Sequence, residues 1–311
     1  MSLENAPKAL LTDVFGTVVD WRSTVTKHLS KTAEETLNSP AASIPSAVRA
    51  AADSVDWGEL AWQWRLSYYH FTRSYDPSQG NFKSVDQHHL EALIHLLKEH
   101  GLTGLWDEQQ LKEMSMIWHF LDPWPDSANG LGMLNQKFET ATLSNGNTSL
   151  LTDLAEYGKL PYKHIVSAEE FKAYKPHPNV YNGAAKKLGV NTSQCALIAA
   201  HLGDLEAAKK CGYQTIYIER SQEESWDQQK TEQAKKEGWV DMWVSMDEGG
   251  FEEVARRFGC TSPEQGVYHE TGSITGTEPH PPPGQGDKSS LEQHAKQGTY
   301  HEDPSIRKPT I

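Results

Sequence analysis

The sequence predicts an α/β fold: a doubly wound parallel sheet with a helical insertion after its first strand. Two observations carry this. Short apolar runs alternate with segments of helical spacing, the pattern of βαβ units. One long interval near the start breaks that alternation and contains helical patterns only.

The elements follow in order. "ALLTDVF" (9–15) reads as a buried first strand, because strands covered on both faces are continuous apolar runs rather than alternating ones. From about Trp21 to Leu121 the patterns are helical: "SAVRAAADSVDWGELAWQWRLSYYHFTR", "SVDQHHLEALIHLLKEHG" and "DEQQLKEMSMIWHF". Standing after the first strand, this insertion is expected to cover the sheet's carboxyl edge as a lid. Strands resume with "TATLS", "CALIAA", "QTIYIE" and "DMWVS". Between them lie "TSLLTDLAEYG", "NVYNGAAKKLG" and "LEAAKKCG", the last two closed by a glycine at the helix stop. The expected organisation is therefore a core of 1–20 and 122–260, a helical cap of 21–121 and a tail of 261–311. That tail, with "TEPHPPPGQGDKSS", lacks Trp, Phe, Met and Cys and is expected to be disordered, since it has too little apolar area to offset its ordering entropy. Its four histidines, from His269 to His301, read as polar-tail residues rather than a metal site.

Composition narrows the function. The 311 residues carry a formal charge of -13, which offers nucleic acid or an anionic membrane no general attraction. A small anion can still bind in a locally basic pocket. Cys195, Cys211 and Cys260 form neither a paired framework nor a metal-ligand spacing, consistent with a reducing interior. The start, "MSLENAPKAL", is too polar for a secretory signal, and no stretch approaches the ~18 apolar residues of a membrane helix. A cytoplasmic location is expected; the ending "KPTI" is no peroxisomal address.

Four polar signals fall beyond strands or at helix starts: Asp13 with Thr17, "LSNGN" with Ser144 to Asn147, Lys175 in "FKAYKPHPNVY", and Asp204 in "AAHLGD". In a doubly wound sheet the loops that bear them converge on one crevice beyond the strands' carboxyl ends. Singly, each has a plainer reading. Asp13 and Asp204 can cap helices, Ser144 and Asn147 can serve a turn, Lys175 can be a solvated loop residue, and His201 can be an ordinary hydrogen-bonded histidine.

The ordered set "DVFGT" (Asp13–Thr17 with the intervening residues), "WRLSYY" (64–69), "PWPD" (123–126), "LSNGN", "KPHPNVY" (175–181) and "AAHLGD" (199–204) resembles the haloacid dehalogenase superfamily, and within it the type II L-2-haloacid dehalogenases. The resemblance spans about residues 9 to 260 and implies a Rossmann-like core, an inserted helical cap and, often, a homodimer. It casts Asp13 as a nucleophile that forms an ester with the substrate, held ionised by Lys175 and oriented by Thr17. Asp204 would position or activate the water that cleaves the ester. Arg65, among Trp62, Trp64, Tyr68 and Tyr69, would bind the substrate carboxylate or the departing halide, a task suited to a permanently charged planar donor. Phe15, Ser144, Asn145, Tyr181 and His201 are the further residues expected on the substrate side.

Phe15 is informative within this resemblance. Superfamily phosphatases usually carry a second aspartate there, to protonate the leaving oxygen, and bind magnesium. Phenylalanine donates no proton and halide needs none, so hydrolysis of a carbon–halogen bond in a short 2-haloalkanoic acid is implied, with no metal and no cofactor. Where better-known members have serine and asparagine, this chain has Ala199 and His201, a departure that bears on the water-handling network. Three competing readings are another superfamily hydrolase such as a phosphatase, a phosphate-accepting receiver domain, and a non-catalytic relative. The missing aspartate at 15 opposes the first, the lid after strand one the second, and retention of Asp13, Lys175 and Asp204 the third.

Overall fold

A computed structural model of the protein describes residues 6–40 and 43–261. The expectation of a disordered tail therefore concerns residues that, Thr261 apart, lie outside the described ones. Five strands, β1 (Ala9–Thr12), β2 (Glu139–Thr142), β3 (Cys195–Ala199), β4 (Gln214–Ile218) and β5 (Met242–Val244), form one parallel sheet in the order β2-β1-β3-β4-β5. All five correspond to the apolar runs of the sequence. β1 is an inner strand and wholly buried, with Leu11 level with Ala141 on one side and Leu197 on the other. The chain order reverses between β1 and β3. Loops leaving these neighbours diverge to opposite faces of the sheet, so a crevice opens at their carboxyl ends.

Among the described residues six α-helices lie between β1 and β2, of which the first five are α1 (Trp21–Asn38), α2 (Ser46–Ser54), α3 (Trp57–Ser74), α4 (Val85–Glu99) and α5 (Glu108–Ser115), followed by a 3-10 turn, Met116–His119. The pattern read as one long helix over 46–73 is broken at Val55 and Asp56. Asp56 accepts hydrogen bonds from the Gly58 and Glu59 amides and so caps a new helix. Ser84 and Asp107 cap α4 and α5 in the same way. Helix α3 buries Leu60, Ala61, Trp64, Tyr68 and Thr72, and the Trp64 indole donates to the His89 carbonyl of α4 at 3.0 Å. This leaves Arg65 and Tyr69 on the side of α3 that faces the sheet's carboxyl edge.

The remaining helices are α6 (Ser127–Leu134), α7 (Thr148–Tyr157), α8 (Pro178–Lys187), α9 (Leu202–Lys210), α10 (Gln228–Glu237) and α11 (Gly250–Arg257). The predicted stops at Gly189 and Gly212 have φ of 69° and 92°, where a side chain would be strained. The "PWPD" stretch is structural: Asp126 takes a two-pronged bond from Arg220, each arm 2.8 Å, and Trp124 donates to the Gly16 carbonyl.

Candidate active site

Asp13 is the first residue past β1, and it caps no helix; Asp20 caps α1 instead. Its Oδ1 accepts from the Lys175 ammonium at 2.8 Å, and its Oδ2 accepts from Thr17 Oγ1 at 2.9 Å and His201 Nδ1 at 3.0 Å. The Ala200 amide donates to Thr17 Oγ1 at 2.9 Å, so the hydroxyl proton must point to Asp13. Burial alone would raise the pKa of Asp13. The Lys175 charge and the His201 hydrogen bond outweigh it and hold the carboxyl well below the usual carboxylate range.

Lys175 is shared. Its ammonium also donates to Asp204 Oδ2 at 2.5 Å, and the Tyr181 hydroxyl donates to Asp204 Oδ1 at 2.6 Å. Burial would lower the Lys175 pKa, but Asp13 and then Asp204 raise it, so the group is a fixed cation. Asp204 stands in the first turn of α9 and His201 at its start. Behind His201, Nε2 meets Glu223 Oε2 at 3.3 Å. With a carboxylate at each ring nitrogen the imidazole is doubly protonated. Burial opposes this, yet the bonds to Asp13 and Glu223 push its pKa up to about 10. Gly16, at φ 81°, passes so close to the Glu223 carboxylate that any side chain would collide with it.

These groups open on a cavity of about 250 Å³. Asp13, Asn145, Lys175, Tyr181, His201 and Asp204 line its sheet side, and Trp62, Arg65, Tyr68, Tyr69 and Arg73 of α3 line the other. The size is at the small end of ligand pockets and suits a small molecule. A wider cleft of about 710 Å³, between α1 and the start of α3, contains none of the strand-end groups.

The Arg65 guanidinium lies 4.6 Å from the Tyr68 ring centroid, 5.4 Å from Phe15 and 5.7 Å from Trp21. Its Nη1 is buried and finds no hydrogen-bond partner among the described residues. Walled by aromatic faces, the arginine keeps this one donor for an incoming anion.

Two sequence-derived assignments need correction. Phe15 does not line the cavity: its ring is 1% exposed, beneath Arg65 and edge-on to Tyr68 and Trp118. Ser144 is also fully buried, and its hydroxyl accepts from the Gly146 amide. Asn145 reaches the cavity, but its Oδ1 accepts from the Lys175 amide at 2.7 Å, so it is a clamp on the lysine backbone. Sequence reasoning missed Glu223, Trp21 and Arg73. Glu223 follows β4, whose loop opens on the same sheet edge as the others, and that was the available signal.

Among the described residues no cluster of three or more His, Cys, Asp or Glu is arranged to hold a metal ion, and no helix is long and apolar enough to cross a membrane. The residues between the two carboxylates fit an ammonium, which occupies the position a cation would take.

Comparison with known proteins bears on the family and the fold. The chain is 29% identical over 217 residues to (S)-2-haloacid dehalogenase 4A of Burkholderia cepacia, covering 68% of this chain and 83% of that protein. Among solved structures, the L-2-haloacid dehalogenase PA0810 superposes with a TM-score of 0.64 at 30% identity, covering 81% of this chain and all of that one. The defluorinating L-2-haloacid dehalogenase Rha0230 gives a TM-score of 0.67 at 29% identity, with 82% and 96% covered. The family model of haloacid dehalogenase-like hydrolases matches residues 7–212, well over half of the chain, and with a five-stranded parallel sheet and a strand-end aspartate in its crevice the protein belongs to that family.

Proposed function

We propose that the protein hydrolyses the carbon–halogen bond of a short 2-haloalkanoic acid through an ester on Asp13, releasing halide and a 2-hydroxy acid. One observation carries this reading: an ionised carboxylate with a free lone pair faces the same small cavity as an arginine without a carboxylate partner. Oδ2 accepts two hydrogen bonds and Oδ1 only one, so Oδ1 is the attacking oxygen.

The substrate carboxylate pairs with Arg65, which brings C2 within reach of Asp13. Oδ1 attacks C2; the C–O bond forms as the C–X bond breaks, and halide leaves with the bonding pair. Water then attacks Cγ of the ester while Asp204 takes one of its protons. The adduct collapses, the bond from Cγ to the ester oxygen breaks, and the departing alkoxide takes the proton of the adduct's hydroxyl. This releases the 2-hydroxy acid and restores the Asp13 carboxylate, while Asp204 gives its proton to solvent. The adduct's negative oxygen is met by Lys175 or by His201 and Thr17, donors already in position. Helices α1 to α5 act as a cap that excludes bulk water and supplies Arg65. An (S)-2-haloacid is the favoured substrate, as the names of the similar dehalogenases suggest.

The test is a panel of 2-haloacids and phosphate monoesters, with free halide and free phosphate measured side by side. Halide release with no phosphate release is expected. Phosphate release alone would place the protein among the phosphatases.

A further inference from the structure

Lys175 holds the nucleophile, and its own placement depends on a network absent from the chemistry above. Its amide is clamped by Asn145. Its neighbour Tyr174 donates through the hydroxyl to the Lys83 carbonyl at 2.5 Å, just before α4. Two residues after Asn145, the Asn147 side chain grips the start of α4 twice. Its Nδ2 donates to Asp86 Oδ2 at 2.7 Å, and its Oδ1 accepts from the Asp86 amide at 3.2 Å.

Asp86 is held from behind. Its Oδ1 meets His119 Nε2 at 3.0 Å, and His119 Nδ1 meets Asp153 Oδ2 of α7 at 2.7 Å. The His119 side chain is only 2% exposed. Carboxylates at both nitrogens make it an imidazolium; burial opposes the charge, but Asp86 and Asp153 raise its pKa. The insertion is thus tied to the core at both residues flanking the lysine clamp.

We propose that Lys83–Asp86, backed by His119, is a positioning element: it couples the seating of the helical insertion to the placement of the Lys175 ammonium against Asp13. Asp86, His119 and Asn147 touch no substrate; they act through Asn145, Tyr174 and Lys175. The proposal rests on the reading of Asp13 as nucleophile for its effect on rate, but not for its effect on the Lys175 backbone. A buried ion pair chosen for stability alone would not need to converge on this loop.

Asp86→Ala cuts the tie at one end, and Tyr174→Phe, which removes a single hydroxyl, cuts the other with less risk to folding. In each, kcat for halide release should fall roughly tenfold or more with KM held within about twofold, since a small misplacement of a charged partner acts on the chemical step. Exchange of the Lys175 amide should quicken by about tenfold, while that of Ile216 in β4 stays within about twofold. Glu99→Gln, exposed at the far end of α4, should change neither. Folded variants with unchanged kcat and unchanged Lys175 exchange would overturn the proposal. So would equal quickening at Ile216, the mark of a general loss of stability. If the wild-type protein releases no halide, the reading of Asp13 fails, and amide exchange alone decides this one.

Discussion

Asp13, on the sheet side of the cavity, has three donors within 3.0 Å, whereas Arg65, on the helical side, has aromatic rings around it and a buried nitrogen with no partner. In a protein interior an ion is ordinarily paired or absent. The first wall obeys this: Asp13, Asp204 and Glu223 are matched by Lys175 and His201. The second does not. A charge with its partners supplied is held in one geometry before substrate arrives, while a charge left without one is satisfied by the substrate itself. On the function proposed above, reaction then falls to the sheet and recognition to the insertion.

The division breaks most visibly at the nucleophile. Asp13→Asn keeps the shape but exchanges one accepting oxygen for an amide donor and loses the negative charge, so turnover should be abolished while the protein stays folded. A single turnover in heavy-oxygen water should label the Asp13 side chain of the wild type. Label confined to the product would mean direct attack by water.

On the opposite wall the expected loss is smaller. Arg65→Lys keeps a charge but loses the planar fork that the aromatic box holds. It should lose about 1.5–3 kcal/mol of transition-state stabilisation, the range for a hydrogen bond to a charged group, or roughly ten- to a hundredfold in kcat/KM. Unchanged kinetics would return Arg65 to a packing role.

The two walls also differed in how far they could be read from the sequence. Asp13, Lys175 and Asp204 follow strands or start helices, and buried parallel strands announce themselves as apolar runs such as "CALIAA". Arg65 was visible as a residue but not as an unpaired one, because pairing depends on which acids the fold brings near. Glu223 lies in the acidic loop "ERSQEESWD", which reads as solvated; only the approach of Gly16 and His201 buries it. The helix break at Asp56 carried a local signal, Asp-x-x-Glu, but the apolar spacing ran through it and hid the boundary. The Asp86–His119–Asp153 chain left no trace, since its members are far apart in sequence.

His201 joins the nucleophile to Glu223, and its titration sharpens the contrast. Its folded pKa, about 10, is raised above the ordinary 6.5. The stability it contributes is therefore complete below pH 6.5 and is lost as pH rises through about 10. Denaturant midpoints of the wild type should fall across that window. Those of His201→Gln should be flatter, and this variant should also lack the alkaline decline in halide release that deprotonation of His201 causes. Parallel curves would mean that the imidazole is neutral in the folded protein.

The smallest expected effect is that of metal removal, and it tests the sheet-side wall as a whole. A magnesium ion needs about six oxygen ligands in near-octahedral array. Here the space between Asp13 and Asp204 is taken by the Lys175 ammonium, 2.8 Å and 2.5 Å from their oxygens, and the far oxygen of Asp13 is engaged by Thr17 and His201. A cation bound at Oδ1 would displace that ammonium and occupy the lone pair that attacks carbon. It would also meet the positive charges of Lys175 and His201 at close range, while the substrate's single carboxylate is met across the cavity by Arg65. Halide release should therefore survive thorough treatment with EDTA and gain nothing from added magnesium. Activity lost to the chelator and restored by magnesium would mean that Lys175 yields its place to a metal, and that the two walls are not divided as they stand.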